Sequence, residues 1–322
     1  MTIKALFSTP SAEPYFKDIE LPPPKDHEVT VQLLAVGYNH LAKARAKGAH
    51  YTASKDETIV GIDGVGKVKG TGELVYFISM DGTYAQELNV PKAAVYPLPA
   101  NSSEEDVDRV IALANSAFAS ANAFSNRIDS LPENASVAVL GATGTSGRLA
   151  IQVAKNMFGA KTVIGIGRSQ TKLDQLKKDE PLLDDVISLE ESDEAIISGG
   201  ILSDIDVVFD LVWGNSASRV LNAAIKSKKV PHKRLVWVQT GQIGGEKADI
   251  SPMALRLTNL VIVGSGFGPQ PFSEIVKLIK VLVEKLADGT IGKGVPYKSL
   301  PFDTADERWN DELGDERVFF KF

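Results

Sequence analysis

From residue 136 to residue 264 the chain repeats one kind of unit, a short apolar run followed by an amphipathic stretch. The apolar runs are 136–140, 162–166, 185–189, 207–211, 234–239 and 260–264. Between most of them lie segments of helical pattern, among them TSGRLAIQVAKNMF, SQTKLDQLKKD and NSASRVLNAAIKS. Strands that alternate with helices in short units form a parallel sheet covered on both faces. Six of them suit two mononucleotide-binding halves, so the expected fold class is α/β with a doubly wound Rossmann sheet.

The turn after the first of these strands narrows the expectation. In VLGATGTSGRLA, Gly141 permits a sharp strand-to-helix turn. Gly144 lets the backbone approach a pyrophosphate, and Gly147 lets the helix pack close to the sheet. Ala142, Thr143, Thr145 and Ser146 complete the turn. Exposed amides at the partly positive helix start bind phosphate. The spacing is G-x-x-G-x-x-G, not the commoner G-x-G-x-x-G. A glycine triplet alone is a weak signal; its place between a strand and a helix, with five strand units following, points to a dinucleotide.

The end of the second strand separates two cofactors. An Asp or Glu there binds the ribose 2′-hydroxyl of NAD. This chain instead places Arg168, Ser169 and, one helical turn later, Lys172. Two cations and a hydroxyl suit a 2′-phosphate, which an acid would repel. NADPH is the expected cofactor. Ligands in such sheets lie beyond the carboxyl ends of the strands. That adds Leu211, Val212, Thr240, Gly241, Gly264, Gly266 and Phe267 as candidate contacts, with Ser116 before the nucleotide-binding region.

Residues 1 to about 100 read differently. Alternating stretches such as EVTVQLLAVGYN and AAVYPL are separated by turn chemistry in LPPPKDHE, KGTGE and MDGTY, which reads as a β-rich domain. A helix is expected to begin near SSEEDVDRV, where serines precede acids and an alanine-rich body follows. After the sixth strand, FSEIVKLIKVLVEKLADGTI is strongly amphipathic and ERVFFKF is again strand-like. The expected division is a first domain over 1–118, a nucleotide-binding domain over 119–267, and a return to the first domain over 268–322.

Composition excludes several function classes. Among 322 residues there is no cysteine, which removes disulfides, thiolate zinc ligands and cysteine nucleophiles. A net charge of −6 argues against nucleic acid or a membrane surface as partner. No apolar run approaches the roughly 20 residues needed to span a bilayer, and no secretory signal pattern opens the chain. A cytoplasmic location is expected.

Taken in order, several blocks resemble the medium-chain dehydrogenase/reductase superfamily, and within it the zinc-independent quinone oxidoreductase (zeta-crystallin-like) branch. LLAVGYNHLAKARAKG is similar to the family's strand–Asn–turn segment, and GIDGVGKV to its glycine-rich strand pair. GTYAQELNVPKAAVYPLP, DVVFDLVWG, RLVWVQTG, LVIVGSGFG and ERVFFKF match later blocks. The resemblance implies a GroES-like catalytic domain beside the Rossmann domain, with hydride passing from NADPH to a quinone or an α,β-unsaturated carbonyl. Ile62 stands where zinc-dependent members carry a histidine ligand, so no metal is expected.

The same resemblance nominates Asn39 for the nicotinamide and substrate carbonyl region. His40 and Tyr51 are candidate proton donors beside it, Tyr84 is expected to pack or cap a strand, and Asp63 to be a structural hydrogen-bond partner. A homodimer is expected, paired through the apolar edge strand in LRLTNLVIVGSG. Two other functions fit the motifs: an enoyl-thioester reductase of the same superfamily, or a non-catalytic NADPH-binding sensor. GATGTSGR is also similar to the opening turn of atypical short-chain reductases, but there the turn lies near the N-terminus, and here about 135 residues precede it.

Overall fold

The computed structural model describes residues 2–10, 12–50, 52–128, 130–266, 271–312, 314 and 316–322. Two of the candidate residues, Tyr51 and Phe267, lie outside them. The chain forms two compact units. One holds residues 1–115, 279–292 and 296–322, the other residues 116–278 and 293–295.

The first unit opens with β1 (Thr2–Ser8), β2 (Tyr15–Glu20), β3 (Glu28–Tyr38), α1 (His40–Ala46), β4 (Thr58–Ile59) and β5 (Asp63–Val68). There follow β6 (Leu74–Ile78), β7 (Glu87–Pro91), β8 (Val95–Pro97) and α2 (Glu104–Arg127), of which the residues from 116 on belong to the second unit. Proline and glycine turns break the strands as the sequence indicates. Strand β3 is long enough to pair with both β5 and β7, and its register with β5 slips between Leu33 and Ala35. Such a bulge bends a strand locally. Helix α2 starts with a reciprocal cap: the Asp106 amide donates to Ser103 Oγ at 3.2 Å, and the Ser103 amide donates to Asp106 Oδ2 at 2.8 Å. It then runs unbroken through residue 118, where a domain boundary was expected.

The second unit is the repeated strand–helix array: β9 (Ser136–Leu140), α3 (Thr145–Asn156), β10 (Thr162–Gly167), α4 (Gln170–Asp179), β11 (Asp185–Ser188) and α5 (Asp193–Gly199). After these come β12 (Val207–Asp210), α6 (Gly214–Ser227), β13 (Leu235–Gln239), α7 (Pro252–Leu257), β14 (Leu260–Gly264) and α8 (Phe272–Ala287), of which the residues from 279 on belong to the first unit. All six strands are parallel, in the order β11-β10-β9-β12-β13-β14. That order reverses direction between β9 and β12, the arrangement of a doubly wound sheet. Val137, Val139 and Leu140 of central β9 are at most 1% exposed. Each such burial stabilises the fold by roughly 1.5–3 kcal/mol. This is why the strand reads as a continuous apolar run rather than an alternating one.

The chain ends with β15 (Tyr297–Pro301), α9 (Ala305–Arg308) and β16 (Arg317–Lys321). Strand β16 pairs antiparallel with β3, so the sequence ERVFFKF closes the β-rich sheet. Around it Tyr84 meets Trp309 at 5.4 Å and Phe320 at 5.8 Å, both edge-to-face. The Tyr84 hydroxyl donates to the Gly37 carbonyl at 3.0 Å, so this buried tyrosine both packs and caps. Among the described residues no helix is long and apolar enough to cross a membrane.

Candidate functional site

In the second unit, the carboxyl ends of the parallel strands gather most of the candidate residues. Three glycines in the β9–α3 turn serve three purposes. Gly141 has φ +93°, which a side chain would strain. Gly147 has no room for a Cβ, which would collide with the Gly141 carbonyl and lie 2.6 Å from Ala142 Cα. At Gly144 a Cβ would meet nothing nearer than 3.9 Å. The protein itself therefore leaves the face of Gly144 open, as close approach by a phosphate group requires.

The amides of the turn are divided in the same way. Those of Gly141 and Ala142 both donate to the Ile166 carbonyl, at 2.9 and 3.1 Å. They anchor the turn to β10 and are committed to the protein. Ala142 is buried, and Thr143 packs beside Gly167, where a Cβ would come 3.3 Å from Thr143 Cγ2. The other amides of the turn belong to the start of α3. The N-cap is Gly144, with no side-chain cap, and the amides of a helix's first turn lack intrahelical acceptors. Thr145 is buried there, Ser146 half-buried.

At the end of β10, Arg168 and Lys172 are exposed, and Ser169 is half-buried. Ser169 caps α4, its hydroxyl accepting from the Lys172 amide at 3.3 Å. Arg168 immediately precedes this cap, and Lys172 lies in the first helical turn after it. Arg168 has no ion-pair partner among the described residues.

The β12–α6 turn seats Leu211 and Val212 against Gly141. A Cβ on that glycine would lie 2.8 Å from Val212 Cγ2 and 3.4 Å from Leu211 Cβ. A residue not anticipated from sequence organises this turn. Asp210 is 0% exposed, and its Oδ1 accepts from the amides of Val212 and Trp213, each at 2.8 Å. Its Oδ2 accepts from the Trp237 indole at 3.0 Å. Burial raises its pKa, and these three donors oppose the rise. The available signal was an Asp ending a strand just before Gly214, a pattern that favours a side-chain-closed turn.

At the end of β13 the amides of Thr240 and Gly241 donate to the Asp210 carbonyl. The Thr240 hydroxyl is buried and has no hydrogen-bond partner among the described residues. A buried orphan donor at a strand's carboxyl end is a group awaiting an acceptor. Beyond β14, Gly264 is exposed and its carbonyl accepts from Arg127 Nε at 2.7 Å, while Gly266 has open space around it. Ser116, buried, sits in the middle of α2, not in a loop. The open Gly144 face, the uncapped α3 start, the two cations and the orphan hydroxyl fit a phosphorylated dinucleotide.

The first unit holds the other candidates. Asn39, 6% exposed, caps α1: its Oδ1 accepts from the Ala42 amide at 2.9 Å, and its Nδ2 donates to Asp63 Oδ1 at 3.2 Å. Asp63 is 1% exposed and also accepts from the Tyr76 hydroxyl at 3.2 Å. Burial without a cationic partner pushes its pKa up to about 7, against the opposing hydrogen bonds. Gly37 makes room for it, since a Cβ there would lie 2.5 Å from Asp63 Oδ1. His40 opens α1 with an exposed ring. Partial desolvation, and then the charges of Arg317 and Lys43, lower its pKa. Among the described residues no cluster of three or more His, Cys, Asp or Glu could hold a metal ion.

Comparison with known proteins gives the following. No family model matches the chain. A probable NADPH-dependent quinone reductase of Emericella nidulans is 27% identical, the alignment spanning 93% of each chain. The quinone oxidoreductase of Thermus thermophilus, solved also with NADPH, superposes with a TM-score of 0.73 at 24% identity, covering 99% of this chain and 100% of that one. A putative NADPH:quinone reductase from Bacillus thuringiensis superposes with a TM-score of 0.78 at 14% identity, covering 100% of this chain and 99% of the other.

Proposed function

We propose that this chain, which belongs to the medium-chain dehydrogenase/reductase superfamily on its quinone oxidoreductase branch, is an NADPH-dependent oxidoreductase acting on a small electrophile, a quinone or an α,β-unsaturated carbonyl. The observation that carries the reading is the phosphate turn of the second unit. Its Gly144 face is open, its helix start is uncapped, and exposed Arg168 and Lys172 stand where an NAD-preferring site would carry an acid.

Bound NADPH would supply a hydride to an electron-poor carbon. The chain's own residues bind and orient. The turn from Gly144 to Gly147 would receive the pyrophosphate, and Arg168 with Lys172 would hold the 2′-phosphate. Leu211 and Val212 hold the turn in shape from below. Thr240 offers its hydroxyl at the carboxyl end of β13. In the first unit, Asn39 would orient the acceptor carbonyl. His40, its pKa lowered, is neutral at physiological pH and could act as hydrogen-bond donor to developing negative charge. The reaction is read as metal-free, because Ile62 and the absence of cysteine leave the family's zinc positions without ligands.

Dimerisation belongs to the same reading. Strand β14 is an edge of its sheet and only half-buried, and Met253, Leu255 and Leu257 beside it are 57%, 57% and 58% exposed. Such an edge is a template for pairing with a second copy. Gel filtration is expected to give twice the monomer mass.

The function is tested by following NADPH oxidation with quinones, enals, enones and enoyl thioesters. Turnover of quinones or enones is expected. Tight NADPH binding without turnover of any acceptor would replace the reductase by a cofactor-binding sensor. Turnover of thioesters alone would move the chain to the enoyl-thioester reductases.

A further inference from the structure

Two of the described non-glycine residues have positive φ, Asn134 at +62° and Trp213 at +58°. Asparagine enters the left-handed region readily, and Asn134 lies in an ordinary turn. Trp213 pairs its positive φ with ψ −159°, a combination that glycine alone adopts without strain. A bulky aromatic residue there persists only where its surroundings over-determine the conformation.

Those surroundings are specific. Asp210 takes the amides of Val212 and Trp213 on one carboxylate oxygen. The Val212 carbonyl accepts from the Gly244 amide at 2.7 Å. Gly214, at φ +66°, fits so closely under Gly244 that a Cβ would collide with its carbonyl. The half-buried Trp213 packs against the apolar cluster that includes Ala217, Val220 and Trp237. The turn is thus held from both sides, and its Leu211 and Val212 side chains bear on Gly141 of the phosphate turn.

We propose that Trp213 is a cofactor-positioning residue: its strained backbone and anchored indole lock the β12–α6 turn, which presses Leu211 and Val212 onto the phosphate turn and fixes the shape in which the dinucleotide is received. This inference rests on the NADPH reading above. Glycine at 213 would adopt the same backbone without strain, but it would free the turn to sample others. Tryptophan removes that freedom in advance of binding, so less ordering remains when the ligand arrives.

The test compares Trp213→Gly, Trp213→Ala and Trp213→Phe with the wild-type protein, reading Tm and the Kd for NADPH. Ala keeps the strain and loses the indole, so its Tm is expected to be the lowest, below that of Gly. The Kd is expected to rise fivefold or more in Gly and Ala, and less than twofold in Phe, which keeps a ring as anchor. An Ala variant as stable as the Gly variant would overturn the strain argument. A Gly variant that binds NADPH within twofold of wild type would overturn the positioning role, whatever its Tm. Wild-type protein that binds no NADPH would overturn the cofactor reading and this inference with it, so the wild-type control tells the two failures apart.

Discussion

Two of the turns that carry this chain from a strand into a helix end in opposite ways. At β9–α3 the N-cap is Gly144, which has no side chain to spend on the helix start. At β3–α1 the N-cap is Asn39, whose oxygen takes the Ala42 amide and whose nitrogen donates to buried Asp63. The first turn has no side-chain cap and leaves space at Gly144. The second closes its helix start with the Asn39 side chain, which also donates to a buried carboxylate. Glycine content alone does not separate two such turns; the cap residue and the space around it do.

The largest expected effect lies in the closed turn. Asp63 has a folded pKa of about 7 against an ordinary 3.8. The folded protein therefore holds this proton more tightly than the unfolded chain does. The stability that follows is present below pH 4, is lost as pH rises through 7, and is level above. A displacement of that size corresponds to about 4 kcal/mol. Denaturant titrations of wild type and Asp63→Asn between pH 4 and 8 should show that slope in the first and its absence in the second. Parallel curves would mean that Asp63 is not a buried, uncompensated carboxyl.

Next comes the open turn. Gly147→Ala puts a methyl group into the Gly141 carbonyl and Ala142. A loss of roughly 2–3 kcal/mol is expected from overpacking, with weakened NADPH binding. Gly144→Ala meets no protein atom closer than 3.9 Å, so it should weaken NADPH binding while leaving stability nearly unchanged. Equal Tm losses in both variants would erase the distinction between a packing glycine and a ligand-facing one.

A smaller effect is expected at the end of β10. The double change Arg168→Ala with Lys172→Ala should raise the KM for NADPH about tenfold, which is about 1.4 kcal/mol, and leave that for NADH nearly unaltered. An equal rise for both cofactors would remove the 2′-phosphate from that site. Smallest is Asn39→Ala, which removes a helix cap and should cost about 1 kcal/mol in denaturant unfolding. No loss there would mean that the closed turn is held by other contacts.

The sequence announced the second unit almost strand for strand, because a strand buried on both faces must be apolar throughout and helices covering it must be amphipathic. It also announced β16, since VFFK alternates little and carries large aromatics. It did not announce the continuity of α2 through residue 118. The helix crosses between the two compact units at 115/116, close to the expected 118/119, without a break in its hydrogen bonding.

The site divides along the same line. Gly141, Gly147, Arg168 and Lys172 can be nominated from spacing alone, because backbone geometry and charge act locally. Asp210 and Trp213 cannot, because their roles depend on Gly141, Trp237 and Gly244, which reach them only through the fold. Asp63 reads from sequence as a plain structural partner, and only its burial beside Tyr76 and Asn39, away from any cation, gives it a raised pKa. The sequence by itself determined the parallel sheet, the glycine turn after β9 and the two cations after β10. Tertiary structure decided where a turn leaves space, which carboxyls lose their water and which residue bears strain, because those properties belong to neighbours distant in the chain.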